Sequence, residues 1–247
     1  ERYRSLHLDH RTIARRLVVC GMHIHAGIAD QEERIDAMNQ MVFYLPHLLA
    51  LSTSSPFWEG DATGLKSFRP TIFGDLPRTG LPEPIHSWQE WRDILQVLDE
   101  TLEIDDASKI WWDIRPSAKN PTLEMRVCDV CTRLEDALAI AAIYQCLLAL
   151  FDRLRMDGQT SRSFRRILNA ENKWRAQRFG VEARLGDFGR RSCVPMAEVV
   201  ERLVAMLRDC ATDLGCVTHL ERALRIVERG TSADMQLAVF DAARIYG

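Results

Sequence analysis

Apolar and polar positions follow two periods along this chain, and the switches between them mark its elements. From residue 17 to residue 28 the run Leu17-Val18-Val19-Cys20-Gly21-Met22-His23-Ile24-His25-Ala26-Gly27-Ile28 reads as a strand. Side chains alternate faces in a strand, so His23 and His25 point the same way, about 7 Å apart. Met22, Ile24 and Ala26 turn to the core. The run from Pro121 to Asp129 alternates as well, with Thr122, Glu124 and Arg126 on one face and Leu123, Met125 and Val127 on the other. Trp111 to Ser117 places Asp113 and Arg115 on a common face, and the turn-like stretch Pro116 to Asn120 joins the two runs into a hairpin. Helical spacing predicts helices over residues 2–16, 32–53, 88–101, 133–156, 162–178, 196–214, 217–229 and 232–246. Pro46 should kink the second, and Ser87 should cap the third. Residues 181–194 read as a hairpin or loop. Residues 54–87 are rich in Pro, Gly, Ser and Thr without a clear period, too long for an ordinary connector. Strands with polar faces, backed by helices, indicate an α+β fold with a curved antiparallel sheet.

Composition narrows the class. The 247 residues are 47% hydrophobic, enough for one substantial core, and are read as a single domain over 1–247. A net charge of −3 gives no broad basic field for nucleic acid. No apolar run approaches about 20 residues, so no membrane span is expected. No secretory signal is visible. Of seven cysteines, Cys20, Cys128 and Cys146 lie in apolar settings and read as small hydrophobes. Cys128 and Cys131 form a Cys-x-x-Cys without the second pair that a structural zinc would want. Reduced thiols in a cytoplasmic protein are the expectation.

Each candidate has a bland reading beside its chemical one. The histidine pair alone suits two half-buried, hydrogen-bonded rings. Glu124 with Arg126 alone could be a surface ion pair of little worth. Three strands that each carry charged or metal-competent side chains on one face point instead to a site. Within residues 54–87 the cations Lys66, Arg69 and Arg78 lie near turns and could close over an anionic substrate, or line a solvated flap. Asn172, Arg175 and Arg178 recur at i, i+3, i+6 near one helix face, where Arg forks suit carboxylate or phosphate as readily as solvent.

The glycine–methionine–His-x-His run resembles a strand of glutamine synthetases. Leu123-Glu124-Met125-Arg126-Val127-Cys128-Asp129 resembles a later strand of that superfamily. The closer similarity is to bacterial carboxylate–amine ligases of the glutamate–cysteine ligase type 2 family. It runs through Cys20 to Ile28, Leu45 to Trp58, Leu76 to Pro82, Ile110 to Thr132, Glu171 to Gly180 and Val227 to Asp234. That family begins with a strand of closely spaced glutamates that has no counterpart here. The resemblance therefore implies an N-terminally incomplete catalytic domain.

It also implies a glutamine synthetase-like fold, its sheet forming an active-site funnel, and ATP-dependent amide bond formation. ATP would convert a carboxylate to an acyl phosphate, and an amine would displace the phosphate. L-glutamate and L-cysteine are the family's substrates, and self-association into a homo-oligomer is implied as well. By the same resemblance, His23 and Glu124 would bind Mg²⁺ or Mn²⁺, His25 would contact nucleotide, and Arg126 and Arg115 would hold the transferring phosphate. Arg69, Arg78, Asn172, Arg175 and Arg178 are the candidate substrate contacts. Two other readings fit the residues: a metal-dependent hydrolase using His23, His25, Glu124 and Asp113, or a non-catalytic truncated relative.

Overall fold

A computed structural model describes residue 16, residues 19–104 and residues 107–246. The helix expected over 2–16 lies almost wholly outside the described residues. In chain order the elements are β1 (Ile24–Gly27), α1 (Gln31–Met41), α2 (Leu45–Ser52), β2 (Phe57–Trp58), β3 (Asp61–Ala62), α3 (Arg69–Gly74), β4 (Thr79–Gly80) and α4 (Trp88–Leu102). A 3₁₀ turn at Ala107–Lys109 leads into β5 (Trp111–Trp112), β6 (Ile114–Pro116) and β7 (Thr122–Met125). Then follow α5 (Leu134–Met156), α6 (Arg166–Phe179), β8 (Arg184–Asp187), β9 (Ser192–Pro195), α7 (Met196–Asp213), α8 (Val217–Arg229) and α9 (Ser232–Tyr246).

The fold is α+β, but its strands form small separate sheets. The largest has three antiparallel strands in the order β1-β7-β6. β2–β3 and β8–β9 are antiparallel pairs, and β4–β5 is parallel. The hairpin read from the sequence is β6–β7, with Arg115 opposite Glu124; on the other side of β7, His25 is opposite the same Glu124. The register thus sets His25, Glu124 and Arg115 in one row across three strands. β1 is shorter than the run 17–28 because regular pairing gives way to a single bridge at Gly21–Asp129. Cys20 therefore ends exposed rather than buried, while Cys128 and Cys146 are buried as read.

The helix expected over 32–53 is two helices, and the break precedes the proline. Pro46 sits in the first turn of α2, where its missing N–H costs nothing and its fixed φ suits a helix start. α1 is capped by Asp30, whose carboxylate accepts from Glu33 N at 2.9 Å. α4 begins as expected at Ser87: its hydroxyl accepts from Glu90 N at 3.1 Å, and the Glu90 carboxylate accepts from His86 N at 2.6 Å. Trp91 is the buried anchor of that helix and meets the Trp112 ring at 5.4 Å. Because so little else of α4 is buried, its cap matters. Ser87→Ala should cost about 1 kcal/mol, read as a shift of the urea midpoint with an unchanged slope.

α5 runs through the core and packs on α7 and α8; Ile140, Ile143, Tyr144 and Leu147 are buried, and the Tyr144 hydroxyl donates to Leu123 O of β7 at 3.0 Å. By length and composition it could cross a membrane, contrary to the expectation from the sequence, yet half of its most apolar stretch is packed inside the protein. Its buried Asp136 is held by Arg222 at 3.4 Å and Arg229 at 2.6 Å.

Residues 54–87 are not a bare flap. They contain β2, β3, α3 and β4, and they are pinned at Lys66. The Lys66 ammonium donates to Glu182 at 2.7 Å and to Asp234 at the start of α9, while its backbone N–H donates to Gln177 O at 2.8 Å. Burial works against both charges, but their mutual bonds prevail: the Lys66 pKa is raised and that of Asp234 lowered.

Candidate functional site

Glu124 stands at the centre of β7 with its carboxylate on the polar face, only 4% exposed. Its Oε2 accepts from Arg115 Nε at 2.9 Å and its Oε1 from Arg126 Nη1 at 2.5 Å. His23 Nδ1 lies 3.2 Å from the same Oε1, and His25 Nε2 3.8 Å from it. With a proton on Nδ1, His23 donates to the carboxylate. The His25 ring is steadied by Thr122 Oγ1, 3.0 Å from Nδ1. Burial alone would raise the Glu124 pKa. The His23 hydrogen bond and the charges of Arg126 and Arg115 outweigh it and hold the carboxyl well below the usual range. The five residues named from the sequence as metal, nucleotide and phosphate groups are therefore together.

The two arginines are not equivalent. Besides Glu124, Arg115 donates to the carbonyls of Ala107 at 3.0 Å, Ser108 at 2.9 Å and Ile110. Its guanidinium is spent on orienting the carboxylate and the turn before β5. Arg126 keeps a buried Nε with no partner among the described residues. It lies 3.3 Å from His23 Nδ1 through Nη1 and borders two cavities. One, of about 480 Å³, opens over His23, His25, Arg115 and Glu124. The other, of about 50 Å³, lies toward Arg69, Asp113 and Lys173; the two share Phe73, Trp111 and Arg126 as walls.

Among the loop cations, Arg69 is close to this site and buried. It donates to Arg126 O at 3.0 Å and Val127 O at 3.3 Å, and its charge lies 4.0 Å from Asp129 Oδ1. It shapes the exit of β7 as well as lining the smaller cavity. Its guanidinium also explains Gly21: a Cβ there would overlap Arg69. Gly27 has open space in the same place, so close packing beside the histidines exists at one of the two glycines only. Arg78 donates to Lys109 O at 3.0 Å and covers the Trp111 ring, supporting the wall from behind.

The α6 candidates stand elsewhere. Asn172 is buried and exchanges hydrogen bonds with the backbone of Gly186, tying α6 to β8. Arg175 pairs with Glu171 at 2.8 Å, and Arg178 covers the Phe179 ring. None of the three borders either cavity around Arg126. The α6 residue that does is Lys173, whose ammonium meets Asp113 at 2.5 Å. The signal for it in the sequence is slight: a lysine next to Asn172, off the face that the charged spacing marks. Asp113 is thereby turned to Lys173. Among the described residues no group of three or more His, Cys, Asp or Glu is placed to hold a metal by itself. The Cys128 and Cys131 thiols, each pushed up to about 12 by burial, are poor candidates for redox chemistry.

Comparison with known proteins adds the family. The model of glutamate–cysteine ligase family 2 matches residues 1–244. The chain belongs to that family. A relative from Rhodospirillum rubrum, provisionally named glutamate–cysteine ligase 2, is 51% identical over 247 residues, covering 100% of this chain and 64% of the relative. Relatives of the same provisional name from Jannaschia sp. and Chloroflexus aurantiacus are 47% and 46% identical, with 65% and 62% of their lengths covered. The chain thus spans just under two thirds of the length of these curated relatives. The stretch matched by glutamate–cysteine ligase family 2 takes in every member of the Glu124 cluster together with Arg69 and Lys173.

Proposed function

We propose that the chain carries the phosphate- and metal-binding face of an ATP-dependent carboxylate–amine ligase with a glutamine synthetase-like fold. The observation that carries this reading is the convergence of His23, His25, Arg115 and Arg126 on the single carboxylate of Glu124, at the floor of a cavity large enough for a small ligand. Family membership supports the ligase class, and the names of the relatives support L-glutamate and L-cysteine as substrates.

A carboxylate and an imidazole that face each other offer a hard oxygen and a nitrogen, a donor pair that fits Mg²⁺ or Mn²⁺. Such ions usually take their other ligands from water and substrate phosphates. His23 and Glu124 would hold it, and when bound it neutralises charge on phosphate oxygens. The rest of the work falls to this chain's own groups. Arg115 fixes the carboxylate so that it does not swing on ligand entry. Arg126, which lines both cavities, supplies the guanidinium that meets the transferring phosphoryl group and the charge that grows on it. His25, held by Thr122, meets nucleotide oxygens from the exposed end of the row. Phe73 and Trp111 wall the two cavities and limit water around Arg126.

The test uses the full-length protein. ADP release should require both L-glutamate and an amine, with L-cysteine preferred. His23→Ala should weaken Mn²⁺ binding by at least about 10- to 100-fold, the loss usual for a group that only supports a metal ligand, and reduce turnover in step. Absence of ATP turnover with any amino-acid pair, together with unchanged Mn²⁺ affinity in His23→Ala, would sink the reading.

A further inference from the structure

A third cavity, of about 140 Å³, lies between α2, the β8–β9 hairpin and α7, and shares no residue with those around Arg126. Its inner wall is apolar: Phe43, Leu185, Val194 and Leu203 are all buried. A cavity of that size accepts one six-membered ring. Set into this wall is His47, 6% exposed, with a buried Nδ1 that has no hydrogen-bond partner among the described residues. The carbonyls of Tyr44 and Phe43 lie close enough to favour a proton on the ring, against the effect of burial. Burial drives the imidazole pKa down to about 4, so the ring is neutral at physiological pH.

The mouth has the opposite character. Arg162, Arg190 and Arg202 gather on Asp187, at 3.3, 3.8 and 3.9 Å. Asp187 and Glu198 together leave three guanidiniums with two carboxylates, and among the described residues Asp187 is the only acid that lines the cavity. Arg202 has a second partner in Glu198, but the Arg162 and Arg190 side chains remain 50% and 60% exposed. Met206, 44% exposed, leaves an apolar side chain at the same rim. An apolar ring-sized chamber under a ring of surplus cations selects a guest that is apolar at one end and anionic at the other.

We propose that this cavity is a second ligand site, for a small aromatic carboxylate whose ring enters the chamber and whose charge stays among Arg162, Arg190 and Arg202. None of these residues belongs to the Glu124 site, so the proposal stands or falls apart from the ligase reading. Arg forks recognise carboxylates with paired, charge-assisted hydrogen bonds, whereas a neutral alcohol of the same shape would keep only the apolar contacts.

Titration of the full-length protein with benzoate and with benzyl alcohol, followed by ligand-observed NMR, tests this. Benzoate should bind about tenfold more tightly than benzyl alcohol, a difference of one decade in Kd. The His47 ring resonances should move with benzoate. Arg162→Gln with Arg190→Gln, two exposed positions, should abolish the preference while leaving benzyl alcohol affinity unchanged. Val199→Trp, which fills the chamber, should remove binding of both. Equal affinity for the two probes, or benzoate binding that survives Val199→Trp, would overturn the proposal.

Discussion

Glu124→Gln is expected to destabilise the protein by about 3–5 kcal/mol, the usual cost of removing one partner from a buried ion pair. Glutamine keeps the shape and removes the charge. The Arg115 and Arg126 side chains, 7% and 10% exposed, would then face each other with no anion between them. In a chain of this length the loss corresponds to roughly 10 °C in Tm. Turnover should fall by about a hundredfold or more, because the same change disturbs the guanidinium proposed to stabilise the transferring group.

The sign of the pH dependence follows from the depressed pKa. The folded-state pKa of Glu124 lies far below its ordinary value of 4.5. The stability it contributes is therefore fully present above that ordinary value and is lost as pH falls below it. Wild type and Glu124→Gln should differ by a constant amount from about pH 8 to pH 5, and the gap should shrink steadily below that. Urea midpoints at intervals from pH 7 to pH 3 would show it. A gap as wide at pH 3 as at pH 7 would contradict the assignment of this carboxyl as the ionised hub.

The second large effect comes from one methyl group. Gly21→Ala should cost about 2–3 kcal/mol, at the upper end of overpacking penalties. A side chain at this position runs into the guanidinium of Arg69, and that guanidinium cannot easily move. It is fixed by the carbonyls of Arg126 and Val127 and by the charge of Asp129. Gly27→Ala, at the far end of the same run, meets open space and should change stability by less than about 0.5 kcal/mol. Coupling provides the check. In an Arg69→Ala background the Gly21→Ala penalty should nearly vanish, since the obstacle is gone. A penalty unaltered by Arg69→Ala would place the strain elsewhere.

Much of this arrangement is legible in the sequence because strand alternation is rigid. A period of two is enough to put His23 with His25, and Glu124 with Arg126. The register that joins the rows is not local information: Arg115 meets Glu124 through a turn, and His25 meets it across residues far apart in the chain. The helices 88–101, 133–156, 196–214, 217–229 and 232–246 match α4, α5, α7, α8 and α9 within a residue at each end; α4, α7 and α8 carry marked apolar stripes, and α5 is a long, largely apolar run. The segment 54–87 is opaque by comparison. Its elements are two to six residues long, too short to show a period, and its order comes from distant partners at Gln177, Glu182 and Asp234. The same limit misdirects the reading of α6. Charge spacing marks Asn172, Arg175 and Arg178, whereas only the packing of α6 on its neighbours shows that Asn172 fastens a hairpin and Lys173 reaches Asp113.

Lys66 gives this site an unusual address. Its ammonium is gripped by carboxylates from the turn after α6 and from the start of α9, and it lies three residues before Arg69, which in turn abuts Gly21 and the end of β7. The site is therefore not portable. Grafting the β1, β6 and β7 strands onto another scaffold would transplant the Glu124 row without the brace that sets Arg69. The same brace makes the start of α9 a remote handle on the far end of the protein's sheet.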